Sequence, residues 1–123
     1  MKRMPVFVFV LVLFLFGCSS QQEKLINDLK PRVDDRYSVF AFKDEETSSE
    51  EFQSKINEVF NDAEVWENKL YAFEIYDRIP TEPYDYQKLL KIEKRPAFIV
   101  IDSEGIAFRT HNLTELENFF FEE

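Results

Sequence analysis

Apolar and polar residues follow three rhythms along this chain, and each rhythm predicts a different element. Val6 to Phe16 is an unbroken apolar run of eleven residues. Two later runs, Tyr37-Ser-Val-Phe-Ala-Phe42 and Ala97-Phe-Ile-Val-Ile101, are short and rich in aromatic or β-branched residues, as buried strands are. Between them, Phe52, Ile56, Val59, Phe60 and Ala63 recur at helical spacing and predict one apolar face on a helix from Ser49 to about Asn61. Ser48 and Glu51 stand where a capping box would start that helix, each side chain reaching the other's backbone N–H.

Leu70 to Ile75 reads as a second strand, and a strand–helix–strand unit of this length favours a parallel pair with a right-handed crossover. Trp66, in the connection, is expected to roof the core. Asp77 to Pro83 reads as loop, and Tyr84 to Ile92 as a short helix with Tyr86, Leu89 and Leu90 available for burial. Pro96 stands just before the third strand, where it removes no ladder donor. Asp102-Ser-Glu-Gly105 supplies turn chemistry, with Gly105 suited to a positive φ, and Ile106 to Arg109 returns as a fourth strand. Thr114 to Phe121 closes the chain as a helix, two of its three terminal phenylalanines buried and one partly exposed. The order β-α-β-α-β-β-α predicts an α/β domain over residues 36–123, with a central mixed sheet of about four strands flanked by helices. Residues 18–35 read as a polar tether, either flexible or carrying one short helix built on Leu25, Ile26 and Leu29.

The apolar content of 45%, with 14 phenylalanines, argues for a packed core. Two glycines leave no phosphate-cradling loop. The net charge is −9; without residues 1–17, which carry Lys2 and Arg3, 13 bases face 24 acids for a net −11. Such a surface repels polyanions, so no nucleic-acid partner is expected. His111, the single histidine, reads as a surface loop residue, since zinc would need several such ligands. Asp44, Glu45, Glu46, Glu50 and Glu51 lack the Asp-x-Asp-x-Asp-Gly arrangement of a calcium loop and read as a solvated acidic face. No metal and no cofactor are expected.

The leader has its own logic. A basic start, Met1-Lys-Arg-Met-Pro5, precedes an apolar run shorter than the roughly 20 residues a spanning helix needs, but right for a secretory signal. It ends in Leu15-Phe16-Gly17-Cys18, followed by Ser19-Ser20. This stretch resembles the lipobox of bacterial lipoproteins: Leu15, Gly17 and Cys18 match the pattern, and Phe16 is bulkier than usual at its position. The resemblance implies that residues 1–17 are a signal peptide cleaved before Cys18, whose thiol takes diacylglycerol, with palmitate-type acyl chains as the anchor. Several chains hold firmly, since each buried CH₂ contributes about 0.8 kcal/mol. The implied address is the bacterial cell envelope, lipid-anchored and extracytoplasmic. A composition rich in Phe, Lys, Glu, Asn and Ile suggests an AT-rich genome and a Gram-positive cell, where the protein would sit on the outer face of the cytoplasmic membrane. In a Gram-negative cell, Ser19 would be compatible with outer-membrane sorting.

From Arg95-Pro96 through the buried strand, Asp102-x-x-Gly105, the returning strand and the final helix, the chain resembles the second half of a thioredoxin-like domain. The resemblance extends over roughly Tyr37 to Phe121. In that family the proline is cis beside the active site, and the nucleophilic thiol follows the first strand at a helix N-terminus, where it is stabilised as thiolate. The matching region here, Phe42 to Ser49, contains no cysteine, and the chain's single cysteine is Cys18. Thiol–disulfide exchange is therefore not expected. Thr47 and Ser48 have no histidine adjacent in sequence to activate them and read as capping residues.

Pro96 has two readings: a cis peptide exposing backbone groups to an extended partner, or a rigid strand entry kept for folding. Arg95 could pair with a partner's carboxylate or with the acidic loop of its own chain, and the second is favoured. The expected function is a non-enzymatic, membrane-anchored binding or accessory module, with an envelope protein as partner and Arg95 and Pro96 as the contact. The alternatives are a carboxylate-based envelope hydrolase or transferase, using the acidic loop beside Arg95, and a structural lipoprotein associated with the cell wall.

Overall fold

In the computed structural model, which describes residues 20–121, nine elements follow one another. They are α1 (residues 20–29), β1 (Tyr37–Phe42), α2 (Ser49–Val59), α3 (Ala63–Asn68), β2 (Leu70–Tyr76), α4 (Tyr86–Leu89), β3 (Ala97–Asp102), β4 (Gly105–Thr110) and α5 (Leu113–Phe121). The predicted signal peptide and Cys18 lie outside the described residues. The strands form one mixed sheet in the order β2-β1-β3-β4. β1 and β2 are parallel; β3 runs antiparallel to both its neighbours. The fold is α/β, a four-strand mixed sheet flanked by helices.

Alternation along β1 and β3 divides the core in two. Val39, Ala41, Phe98 and Val100 face one way, against Phe52 and Ile56 of α2, Val65 of α3 and Leu116 and Phe120 of α5. Phe40, Phe42, Ile99 and Ile101 face the other, against Leu25, Leu89, Leu90 and Ile92. Both central strands thus bury both faces, which is why their sequences read as continuous apolar runs. Of the three terminal phenylalanines one is buried rather than the two expected: Phe120 is buried, Phe119 packs partly buried against the core, and Phe121 is exposed.

Several expectations are corrected. Trp66 does not roof the core; it is 42% exposed. It stands on α3, a helix of six residues where the sequence predicts a connection. Asp62 caps this helix, accepting from the Glu64 N–H at 2.8 Å, and Val65 is the residue it buries. The Trp66 indole N–H instead reaches the Phe60 carbonyl at 2.7 Å, which satisfies its polar edge at the rim. The helix expected over Tyr84–Ile92 is shorter, because Asp85 caps its start and Lys91 takes a positive φ of 55° that ends it. Leu90 and Ile92 are buried from irregular chain. The capping box at α2 is half formed: Ser48 accepts from the Glu51 N–H at 3.1 Å, while the Glu51 carboxylate pairs with Lys55 at 3.3 Å.

α1 belongs to the packed structure. Leu25 is 1% exposed within the second core cluster, with Ile26 and Leu29 beside it. Gln22 donates to the Leu89 carbonyl at 2.9 Å. Burying a leucine stabilises by about 1.5–3 kcal/mol, enough to hold a helix too short to persist alone.

Candidate functional site

Phe42, the last residue of β1, pairs with Ala97, the first of β3. Antiparallel pairing therefore brings the loop leaving β1 next to the segment entering β3. That register is what places the acidic residues 44–46 beside Arg95 and Pro96.

The loop is clasped by its own side chains. Lys43 Nζ donates to the Asp44 and Thr47 carbonyls at 2.8 and 2.7 Å, and Thr47 Oγ1 donates to Asp44 Oδ2 at 3.0 Å. Ser49 Oγ donates to Asp77 Oδ1 at 2.7 Å, joining the start of α2 to the chain beyond β2. Across from the loop, Arg95 Nη2 meets Glu45 Oε1 at 2.8 Å. The arginine is mostly sheltered and the glutamate is not, with side-chain exposures of 27% and 81%. The Arg95–Pro96 peptide is cis. The Pro96 carbonyl lies 3.0 Å from His111 Nδ1; a carbonyl can only accept, so Nδ1 carries the proton.

A cleft of about 450 Å³ opens between the loop and residues 93–95, with Ile79, Gln87 and Ile92 among its walls. Pro96 lines a second recess, of about 190 Å³, with Thr47, Phe52 and Leu113. In the second core cluster, Tyr76 stacks on Phe42 with ring centroids 5.1 Å apart, and Tyr86 meets both rings edge-on. Burial, then the Glu74 carboxylate that accepts from the Tyr76 hydroxyl at 3.2 Å, pushes the Tyr76 phenol well above its ordinary range. Burial also raises Tyr86.

These parts offer charge pairing, a sheltered guanidinium and an apolar recess. The hydroxyls nearby are committed: Ser48 caps α2 and Thr47 holds Asp44. Arg95 and Pro96, singled out in the sequence, are indeed brought together with the acidic loop, and of the two partners open to Arg95 it takes the one on its own chain. Cys18 lies outside the described residues. Among the described residues, no group of three or more His, Cys, Asp or Glu side chains is gathered where it could hold a metal ion.

Two participants were not foreseen. Lys43 could have been found, as the one cation opening an acidic loop directly after a strand. His111 needed the β3–β4 register, which puts Thr110 opposite Phe98 and so brings His111 to Pro96. No family model, no curated protein and no solved structure matches this chain.

Proposed function

We propose that this is a lipid-anchored envelope protein whose thiol-free, thioredoxin-like domain binds another envelope protein at Arg95 and Pro96. The thioredoxin-like reading is supported by the succession β-α-β-α-β-β-α, to which α1 and α3 are additions, and by β3 running antiparallel to both neighbours. The anchor rests on Leu15-Phe16-Gly17-Cys18. No helix among the described residues is long and apolar enough to cross a membrane, and the proposed attachment is through lipid on Cys18.

The observation that carries the binding reading is the ion pair between Arg95 and Glu45. An exposed carboxylate holds a sheltered guanidinium at the mouth of a cleft. Pairs of this kind contribute up to about 1 kcal/mol, so a carboxylate on another chain can take the place of Glu45 at little cost. Pro96 and its apolar recess lie directly alongside.

The test is crosslinking of the chain in its own cells, followed by recovery and mass spectrometry of the envelope fraction. One enriched partner is expected, lost on Arg95→Ala and on Pro96→Ala, together with a diacylglyceryl mass on Cys18. Capture unchanged by both substitutions would overturn the surface. An unmodified Cys18 would overturn the anchor.

A further inference from the structure

We propose that the domain rests against the headgroup layer of the membrane, with the start of α1 and the Lys88–Lys91 segment turned towards the lipid. This rests on the lipid anchor at Cys18 proposed above. What the structure adds is that almost no linker separates anchor and domain. Cys18 and Ser20 are two residues apart, a span of at most about 7 Å however the chain runs. Ser20 is already helical, and the helix it belongs to is fixed by Leu25 in the core. Gln22, within about 14 Å of the anchor by the same arithmetic, is tied to the Leu89 carbonyl. The segment after α4 is therefore held beside the point of attachment, and the domain cannot swing away from the bilayer as it could on a long tether.

The charge on this side is close to balanced. Lys24, Lys88 and Lys91 are exposed here, and so are the carboxylates Glu23, Asp28, Asp85 and Glu93. Arg109 adds a fourth cation, which balances the four carboxylates, its Nη1 donating to the Leu90 carbonyl at 2.9 Å. Across the sheet the balance is acidic: α2 exposes Glu50, Glu51 and Glu58 against one lysine, Lys55. In a chain that carries a net −11 without residues 1–17, the near-balanced side by the anchor is repelled least by anionic headgroups, while the acidic helix is kept from them.

The experiment uses the full-length lipidated protein in vesicles of phosphatidylcholine and phosphatidylglycerol that carry a spin-labelled headgroup. Lys and Arg residues are left intact; Gln87→Cys and Glu58→Cys, each at an exposed position, take a fluorophore in separate preparations. Acylated Cys18 leaves the introduced thiol as the reactive one. Quenching several-fold stronger at position 87 than at 58 is expected. Equal quenching in protein whose mass shows the lipid would overturn the orientation and leave the anchor standing. A mass showing bare Cys18 would overturn the anchor and this inference with it.

Discussion

Arg95 and Glu45, fifty residues apart in the chain, meet at 2.8 Å and tie the entry of β3 to the loop that leaves β1. Their unequal exposure sets what the pair does. The arginine is positioned by the fold and the glutamate is free to leave. Arg95→Ala should lower unfolding free energy by no more than about 1 kcal/mol. It should also abolish partner capture. A larger loss of stability in urea would assign Arg95 to the framework.

Leu25→Ala should be far more damaging, although it lies in a segment that reads as tether. Removing a side chain 1% exposed from the second core should cost about 2–3 kcal/mol, taken from the lower range of buried leucine truncations. Equilibrium urea unfolding would measure it. A change below about 0.5 kcal/mol, the ordinary size for surface positions, would mean that α1 is dispensable to the fold.

The β3–β4 turn depends on one side chain and one backbone angle. Asp102 Oδ1 accepts from the N–H groups of Glu104 and Gly105 at 2.8 and 3.1 Å, and Gly105 has a φ of 141°. A Cβ at Gly105 would meet nothing within 4 Å, so the penalty of Gly105→Ala is one of backbone conformation alone. It should reach at least about 1 kcal/mol, and Asp102→Ala about the same. Because both act on one turn, the double variant should lose less than the sum, which a double-mutant cycle in denaturant would reveal.

Alkaline pH should weaken the fold through Tyr76. Its folded-state pKa lies above the unfolded value, so the neutral phenol is favoured by folding. That contribution is fully present below about pH 10, the unfolded tyrosine pKa, and is lost as pH rises towards the folded value. Tyr76→Phe keeps the ring on Phe42 and should flatten the decline of stability above pH 10. Urea midpoints across that range, alongside tyrosinate absorbance, provide the comparison; an unchanged slope would show that another group governs it.

Legibility followed local self-sufficiency. β1 spans Tyr37–Phe42 as read, because a strand buried on both faces declares itself in consecutive residues. The acidic loop and Arg95 were likewise visible as neighbours once β1 and β3 were placed. α3 is obscured in the sequence because Ala63 extends the apolar spacing of α2, and only the structure shows Asp62 capping a new helix there. Trp66 misled because its size suggests burial, whereas its indole N–H is satisfied at the surface. α1 was ambiguous for a physical reason: a short helix with one committed leucine looks like a linker until the pocket that receives it is known. Leu90 and Ile92 sit in chain without periodicity, and only the packed second core shows why they are apolar.

Leu25 also decides how the molecule would respond to force. Any pull on the N-terminal end enters the domain through α1, which crosses the sheet's second face and is held there chiefly by that side chain, its two apolar neighbours and the Gln22 tie. The load meets this contact before it reaches β1. Helix α1 is thus a mechanical fuse: under tension it should peel away first, lengthening the tether while leaving the four strands joined.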